Sequence, residues 1–104
     1  MESTPSPRKL TGKQRRQLRA LGHHLHPVVQ VGKEGATDAL VALVDRELQA
    51  HELIKVRVLE TAPDDPDDSA TELAAKADAH LAQVIGRTAL LYRARTNDPV
   101  IVLE

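Results

Sequence analysis

Two glycines that bracket a lysine and a glutamate are the first residues of this sequence whose spacing could serve chemistry. Gly32-Lys33-Glu34-Gly35 follows the apolar run of residues 28–31, and Thr37 stands just beyond as a candidate helix N-cap. Glycine tolerates the positive φ values of tight turns, and it leaves no Cβ in the way of a nucleic-acid backbone. The helix that follows would offer free N–H groups to a phosphate. Taken alone, the pattern favours a plain turn that only reverses the chain. The basic residues on the surrounding elements raise the case for backbone contacts from Gly32, Lys33 and Gly35.

Basic side chains lie on the elements around this turn. At ~100° per residue, residues 11–23 place Leu18 on an apolar stripe and four basic residues on the opposite arc. Residues 53–59 alternate apolar and basic side chains, as a strand with one basic face would. A further arginine lies in a predicted hairpin turn. The candidate cations for binding RNA are Lys13, Arg15, Arg16, Arg19, Lys55, Arg57 and Arg87.

A cluster of histidines precedes Pro27. His23, His24 and His26 are of the residue type that binds metal ions most readily, but the neighbouring sequence supplies no carboxylate. We therefore favour a helix cap or a phosphate-facing surface, and we expect no metal and no other cofactor.

The acidic run Asp64–Asp68 is interrupted by Pro66, which indicates a solvated loop. It lacks the glycine and the terminal glutamate of a calcium-binding loop. The sequence also has no Gly-x-Ser-x-Gly element and no Walker loop. We expect a protein that is not an enzyme.

The elements that must position these residues follow from periodicity and capping. Helices are predicted over residues 11–23, over 38–50 with Thr37 as N-cap, and from a capping box at Ser69–Glu72. The buried stripe of the third helix would be Ala70, Leu73, Ala74, Ala77 and Leu81. Strands are predicted over 28–31, 53–59, 83–85 and 88–92, with a turn at 86–87. Residues 60–68 and 93–99 read as loops, and residues 100–103 could form a short edge strand.

The order α-β-α-β-α-β-β predicts an α/β fold, a two-layer sandwich in which helices back a mixed four-stranded sheet. The strand–helix–strand unit gives a parallel pair, and the terminal hairpin adds an antiparallel one. Residues 1–9 are expected to be a flexible tail and residues 10–104 a single domain.

Composition narrows the functional classes. The chain has no cysteine, phenylalanine or tryptophan, and Tyr92 is its one aromatic residue apart from histidine. Disulfides and thiolate metal sites are therefore excluded, and stacking of bases on exposed rings is nearly so. The N-terminus has no apolar core of a signal peptide, and no apolar run approaches the ~20 residues of a membrane helix. We expect a cytoplasmic protein without a membrane partner.

The net charge of −1 conceals two poles. Residues 1–35 hold seven basic and two acidic side chains, a net of +5, whereas residues 60–78 hold one basic and seven acidic side chains, a net of −6. Such a separation favours an oriented binding surface, but two unrelated solvated faces would give the same count.

Three blocks of the sequence resemble the CRM domain, the chloroplast RNA splicing and ribosome maturation module. They are residues 18–35 (LRALGHHLHPVVQVGKEG), 51–58 (HELIKVRV) and 83–93 (QVIGRTALLYR). The blocks stand in the family's order and spacing over roughly residues 10–95. The chain is most similar in size to the stand-alone bacterial, YhbY-like members.

The resemblance implies a fold similar to the C-terminal domain of translation initiation factor three. It implies binding to RNA, and to precursors of the large ribosomal subunit in particular, with a role in ribosome assembly. Carried over by position, Gly32, Lys33 and Gly35 would clamp the RNA backbone, Lys55 and Arg57 would form the basic strand, and Arg87 and Arg93 would bracket the closing hairpin. We expect a monomer that binds RNA and not DNA.

A second interpretation stays open. The acidic run Asp64–Asp68 could dock a basic protein partner, in which case the chain would be an interaction adaptor and its basic helix a solvated face.

Overall fold

The computed structural model describes residues 9–104, so residues 1–8 of the expected tail lie outside the described part of the chain. The elements follow in the predicted order, and the boundaries of the first two helices and of three strands agree with prediction to within about one residue. They are α1 Gly12–Gly22, β1 Pro27–Val31, α2 Asp38–His51, β2 Leu53–Val58, α3 Pro66–Lys76, β3 His80–Ile85 and β4 Thr88–Tyr92.

The four strands form one mixed sheet in the order β1-β2-β4-β3. β1 and β2 are parallel and are joined by α2, whereas β4 is antiparallel to both of its neighbours. The predicted fold class, a mixed four-stranded sheet backed by helices, is confirmed.

Alternation along β2 assigns the two faces of the sheet. Ile54, Val56 and Val58 are buried in a core cluster with side chains of α2 and α3, such as Val44 and Leu73. The opposite face carries Leu53, Lys55 and Arg57, because neighbouring strand residues point to opposite sides. Its buried residues Leu53, Leu90 and Tyr92 form a smaller cluster with Leu18 of α1. The helices α2 and α3 therefore back one face, and α1 lies across part of the other.

The third helix begins earlier than predicted. Its N-cap is Asp65, whose side chain accepts a hydrogen bond of 2.8 Å from the N–H of Asp68, and Pro66 occupies the first turn. The capping box predicted at Ser69–Glu72 is therefore wrong. Proline at the first helical position and two carboxylates in the first turn suit the positive end of the helix dipole. Residues 66–68 of the predicted loop 60–68 are thus helical.

The third strand also begins earlier, at His80 and not at Gln83. Leu81, predicted on the stripe of the third helix, pairs with Leu91 of β4 instead. Ala70, Leu73, Ala74 and Ala77 are buried as predicted.

Residues 100–103 form no strand, contrary to the suggested edge strand. The buried carboxylate of Glu52 anchors this segment, because it accepts hydrogen bonds of 2.8–2.9 Å from the N–H groups of Arg95, Val100 and Ile101. The side chain of Gln17 on α1 accepts from the N–H of Glu104 at 3.0 Å and donates to the carbonyl of Val102. The carboxylate of Glu52 and the side-chain amide of Gln17 thus make the hydrogen bonds to the backbone of this segment that a neighbouring strand would otherwise make.

None of the helices within residues 9–104 is long and apolar enough to cross a membrane. The single domain over residues 10–104 stays a prediction.

Candidate nucleic-acid interface

Because α1 crosses one end of the sheet, it leaves the other end of the same face open. The open part is a cleft of about 280 Å³. We call it the trough, and it is lined by Pro27, Lys55, Arg57, Gln83, Ile85, Thr88, Ala89 and Leu90.

Two predicted cations lie side by side on this surface. Lys55 stands opposite Pro27 and Arg57 opposite Gln30 in the parallel pairing of β1 with β2. Arg57 is exposed and Lys55 half-buried. Because residues i and i+2 of a strand share a face, both side chains project into the trough.

One flank of α1 borders the trough. Arg15, Arg19 and Gly22 lie at successive helical spacings of four and three residues, so they share that flank. Gly22 lies directly over Leu90 at the edge of the trough. The guanidinium of Arg15 donates to the carbonyl of Leu81 on β3 at 3.1 Å, which fixes this arginine to the sheet. Arg19, one turn further along the same flank, is half-buried.

The other two predicted cations of α1 point elsewhere. Arg16 is exposed on the outer surface of the helix. Lys13 lies on the side of the C-terminal segment, where its ammonium is 3.7 Å from the carboxylate of Glu104 and both side chains are well exposed. Such an exposed pair contributes little to stability. The positive surface of α1 therefore extends from the trough across the outside of the helix.

The glycine-bracketed turn is closed by a hydrogen bond of 3.0 Å from the N–H of Gly35 to the carbonyl of Gly32. The two glycines differ. Gly35 has φ +70°, and a Cβ there would lie 3.2 Å from Pro63, whereas a Cβ at Gly32 would meet nothing closer than 4.0 Å. Gly35 is needed for the turn itself, and Gly32 leaves open space. Lys33 and Glu34 are exposed at the tip.

This turn lies at the same end of the sheet as Arg57. Gln30 pairs with Arg57 and precedes Gly32 by two residues. The side chain closest in space to Gly32 is that of Leu59, which directly follows β2. The β3–β4 turn with Arg87 reaches the same end, where Arg57, Leu59 and Arg87 line a smaller cleft. The structure therefore brings together the Gly32–Gly35 turn, Lys55, Arg57 and Arg87.

The side chains of Arg87 and Arg93 make hydrogen bonds within the domain. Arg87 donates to the carbonyls of Val58 and Leu59 at 2.7 and 2.8 Å. Arg93 donates to the carbonyl of Ala77 at 2.8 Å and pairs with Asp45 at 2.8 Å, with its side chain 15% exposed. Arg87 still lines the surface beside the turn, but the structure does not bring Arg93 to it.

Beneath the N-terminal half of α1, the rings of His80 and Tyr92 stack with centroids 6.1 Å apart. Burial lowers the pKa of His80, and the neighbouring Arg15 lowers it further, whereas Asp78 opposes the shift. Burial and then the charge of Glu52 raise the pKa of Tyr92. Tyr92 is 6% exposed, so its ring is a core element and not a platform for bases.

The acidic residues at the start of α3 lie on the other side of the sheet, whereas Glu60, also part of the acidic pole, lines the small cleft beside Arg57 and Arg87. Asp65, Asp67 and Asp68 are exposed at the start of α3, which packs against the face opposite the trough. No group of three histidine, aspartate or glutamate side chains within residues 9–104 is arranged to hold a metal ion.

The fold and the positions of these residues match a known family. The family model of the CRS1/YhbY (CRM) domain matches residues 10–93. The chain belongs to the CRM family. The "Probable RNA-binding protein YqeI" of Bacillus subtilis is 45% identical over 84 residues, which cover 81% of this chain and 88% of that protein. The "Probable RNA-binding protein PA4753" of Pseudomonas aeruginosa is 42% identical, over 81% of each chain.

A solved structure shows the same CRM fold. The solution structure of SAV1595 from Staphylococcus aureus aligns with a TM-score of 0.78 at 38% identity, over 92% of this chain and all of that one. The suspected family and the fold class are thus both confirmed.

Sequence reasoning missed the uncharged part of the trough in this CRM domain. Gln30 is not in the lining but stands opposite Arg57, and its exposure between the buried Val29 and Val31 could have been found from alternation along β1. Gln83 gave no such signal, because its placement depends on an irregularity in the β3–β4 pairing between Leu81 and Gln83.

Proposed function

We propose that this chain is a non-catalytic RNA-binding protein whose RNA lies along the trough. One observation carries the proposal: Lys55 and Arg57 project from the open half of a sheet face that α1 covers at its other end, while the exposed carboxylates at the start of α3 lie behind the sheet. A polyanion is attracted to one side of such a molecule and repelled from the other.

The Gly32–Gly35 turn extends this surface at the end of the sheet. The open space beside Gly32 admits a sugar–phosphate backbone, and Lys33 adds a cation at the tip. The carboxylates of Glu34 and Asp38, close by in the sequence, offset the charge of Lys33. The turn would therefore favour binding by letting the RNA backbone come close, more than by attracting its charge. RNA binding is also supported by the names of the relatives from B. subtilis and P. aeruginosa.

Within this class, the target we propose is ribosomal RNA in precursors of the large subunit, with a role in ribosome assembly in the cytoplasm. The CRM resemblance suggests that target, and the surface fits it in one respect. Recognition through phosphates and shape, with one buried tyrosine and no exposed aromatic platform among the described residues, suits structured RNA. We propose that a single copy of the chain binds.

The first experiment is binding to large-subunit ribosomal RNA fragments across a salt series, with an unrelated structured RNA as competitor. We expect a preference for the ribosomal fragments and a logarithmic salt slope of about −0.7 to −0.9 for each phosphate contacted. Weak binding without preference would contradict the ribosomal target, and absence of binding at low salt would contradict the proposal as a whole.

The same assay distinguishes the adaptor hypothesis. Replacing Asp64, Asp65, Asp67 and Asp68 by asparagine removes four charges, and asparagine can still cap α3 at position 65. RNA affinity should hold or rise in this variant. An adaptor that docks a basic protein through its acidic residues would instead bind RNA neither as wild type nor as this variant, and the variant would lose the protein partner.

A further inference from the structure

An apolar pocket opens at the end of the sheet opposite the Gly32–Gly35 turn. It has a volume of about 490 Å³ and lies between the end of α1, the start of β1, the end of α2 and the C-terminal segment. Aliphatic side chains, among them Leu21, Val28 and Ile101, form its walls, and three imidazoles surround them: His24, His26 and His51.

The mouth of this pocket exposes apolar surface that the fold does not require. Leu21 is 47% exposed and Val28 is 49% exposed. Within the wall, Ile101 is held in place because its N–H donates to the buried carboxylate of Glu52 at 2.9 Å. Apolar patches that remain open beside polar side chains are typical of binding sites.

The pocket adjoins the trough. The segment 26–28 forms the wall between them, since His26 and Val28 line the pocket and Pro27 lines the trough. Lys55, opposite Pro27, therefore stands at the boundary between the two. A strand whose phosphates contact Arg57 and Lys55 would bring its next nucleotide to the mouth of the pocket.

We infer that this pocket receives an unpaired base of the RNA strand that lies in the trough. The inference rests on the proposed function and adds base contact to it. A nucleobase has two apolar faces and a polar edge, which aliphatic walls and imidazole nitrogens complement. With Tyr92 buried, imidazoles are the rings that remain at this surface. The rings of His23 and His24 meet edge to face, 5.2 Å apart, and this contact orients His24.

The adjoining cations favour RNA as the occupant over an apolar peptide or a second copy of the chain. An apolar protein partner would fill the pocket but would leave Lys55 and Arg57 in the adjoining trough without a counter-charge. The RNA strand uses both surfaces at once, and the distinction can be measured.

The test compares a uridine octamer with a base-free ribose-phosphate octamer that carries the same number of phosphates. For the wild-type chain we expect the uridine octamer to bind about tenfold more tightly, which is the contribution of roughly one buried base. The double variant Leu21→Gln/Val28→Thr should lose most of that difference and keep the same salt slope, because no phosphate contact changes. Val102→Gln, at a residue that is 74% exposed outside the pocket, is the matched control and should bind as wild type does.

Each outcome separates the inference from the proposed function. If both octamers bind equally to wild type with a steep salt slope, the base pocket is wrong and the RNA-binding surface stands. If neither octamer nor structured RNA binds, the proposed function itself fails. Should the double variant unfold, methyl resonances of Leu21 and Val28 in the wild-type chain must shift on addition of the uridine octamer. No shift there, or a shift on self-association of the free chain, would overturn the inference.

Discussion

Gly22 of α1 lies against Leu90 of β4 so closely that a Cβ on the glycine would stand 2.7 Å from Leu90 Cδ1. Leu90 is 2% exposed, so its side chain has little room to move. This contact sets the distance between α1 and the sheet next to the trough. A close approach of helix and strand here depends on the absence of a side chain.

Gly22→Ala should therefore destabilise the fold by roughly 1–2 kcal/mol, because overpacking outweighs the higher helix propensity of alanine. Urea unfolding measures the loss. Gly12→Ala is the control in the same helix, since its nearest neighbour would be the far end of Arg16 at 3.7 Å. Equal stability of the two variants would show that α1 can move away from Leu90 at no cost.

The two glycines of the Gly32–Gly35 turn should separate folding from binding. Gly35→Ala forces a side chain into φ +70° and against Pro63, so we expect a loss of about 1–2 kcal/mol in the free energy of unfolding. Gly32→Ala should leave stability within ~0.5 kcal/mol of wild type and weaken RNA binding, since its Cβ would occupy the space that a backbone needs. Thermal unfolding and RNA titration of both variants check this pair. Unchanged RNA affinity in Gly32→Ala would remove the turn from the interface.

The sequence predicted which basic residues form the candidate interface, but not which part of the sheet face is open to RNA. Alternation of Lys55 and Arg57 with Ile54, Val56 and Val58 predicted both the strand and its basic face, because a one-residue shift would bury the charges. The part of that face that α1 leaves open could not be predicted, because it depends on the contact of Gly22 with Leu90, far away in the sequence.

Which arginines are free to bind RNA could not be predicted either. Nothing in the sequence distinguishes Arg87 and Arg93 from the exposed Arg57, but in the structure their guanidinium groups donate to backbone carbonyls that the fold brings close. The prediction of where α3 begins was wrong for another reason. Asp65-Pro66 and Ser69–Glu72 both satisfy capping rules, and the burial of Ser69 and Ala70 inside the helix decides for the earlier cap.

Replacing one exposed arginine of the trough should change the salt dependence of RNA binding. Arg57→Gln removes a phosphate contact, so the logarithmic salt slope should fall by about one unit. Arg46→Gln is the matched control, since Arg46 is an exposed arginine of α2, on the opposite side of the sheet. Filter-binding or fluorescence titrations at four or more salt concentrations give the slopes. Equal slopes in the two variants would place the RNA elsewhere.

Arg93→Gln should show the opposite combination. Its bonds to Ala77 and Asp45 would be lost, so stability should fall by about 1 kcal/mol, a modest value because Asp45 is 62% exposed. The salt slope of RNA binding should stay at the wild-type value. A lower slope with unchanged stability would return Arg93 to the interface suggested by the CRM resemblance.

Glu52 should make the C-terminal segment sensitive to acid. Burial raises the pKa of this carboxyl, but N–H groups of Arg95, Ile101 and Val100 and the charge of Arg95 outweigh it, so the pKa lies below its ordinary value of 4.5. A lowered folded-state pKa means that the stabilisation is complete above pH 4.5 and is lost as the pH falls through the lower folded value. Glu52→Gln should therefore cost about 1–3 kcal/mol at pH 7 and less at pH 3. Urea unfolding at both pH values measures the difference, with the exposed Glu60→Gln as control for the lost charge.

Faster amide exchange at Val100 and Ile101 in Glu52→Gln would locate the effect in the C-terminal segment, which forms part of the wall of the apolar pocket. Unchanged exchange there would contradict the anchoring role of Glu52.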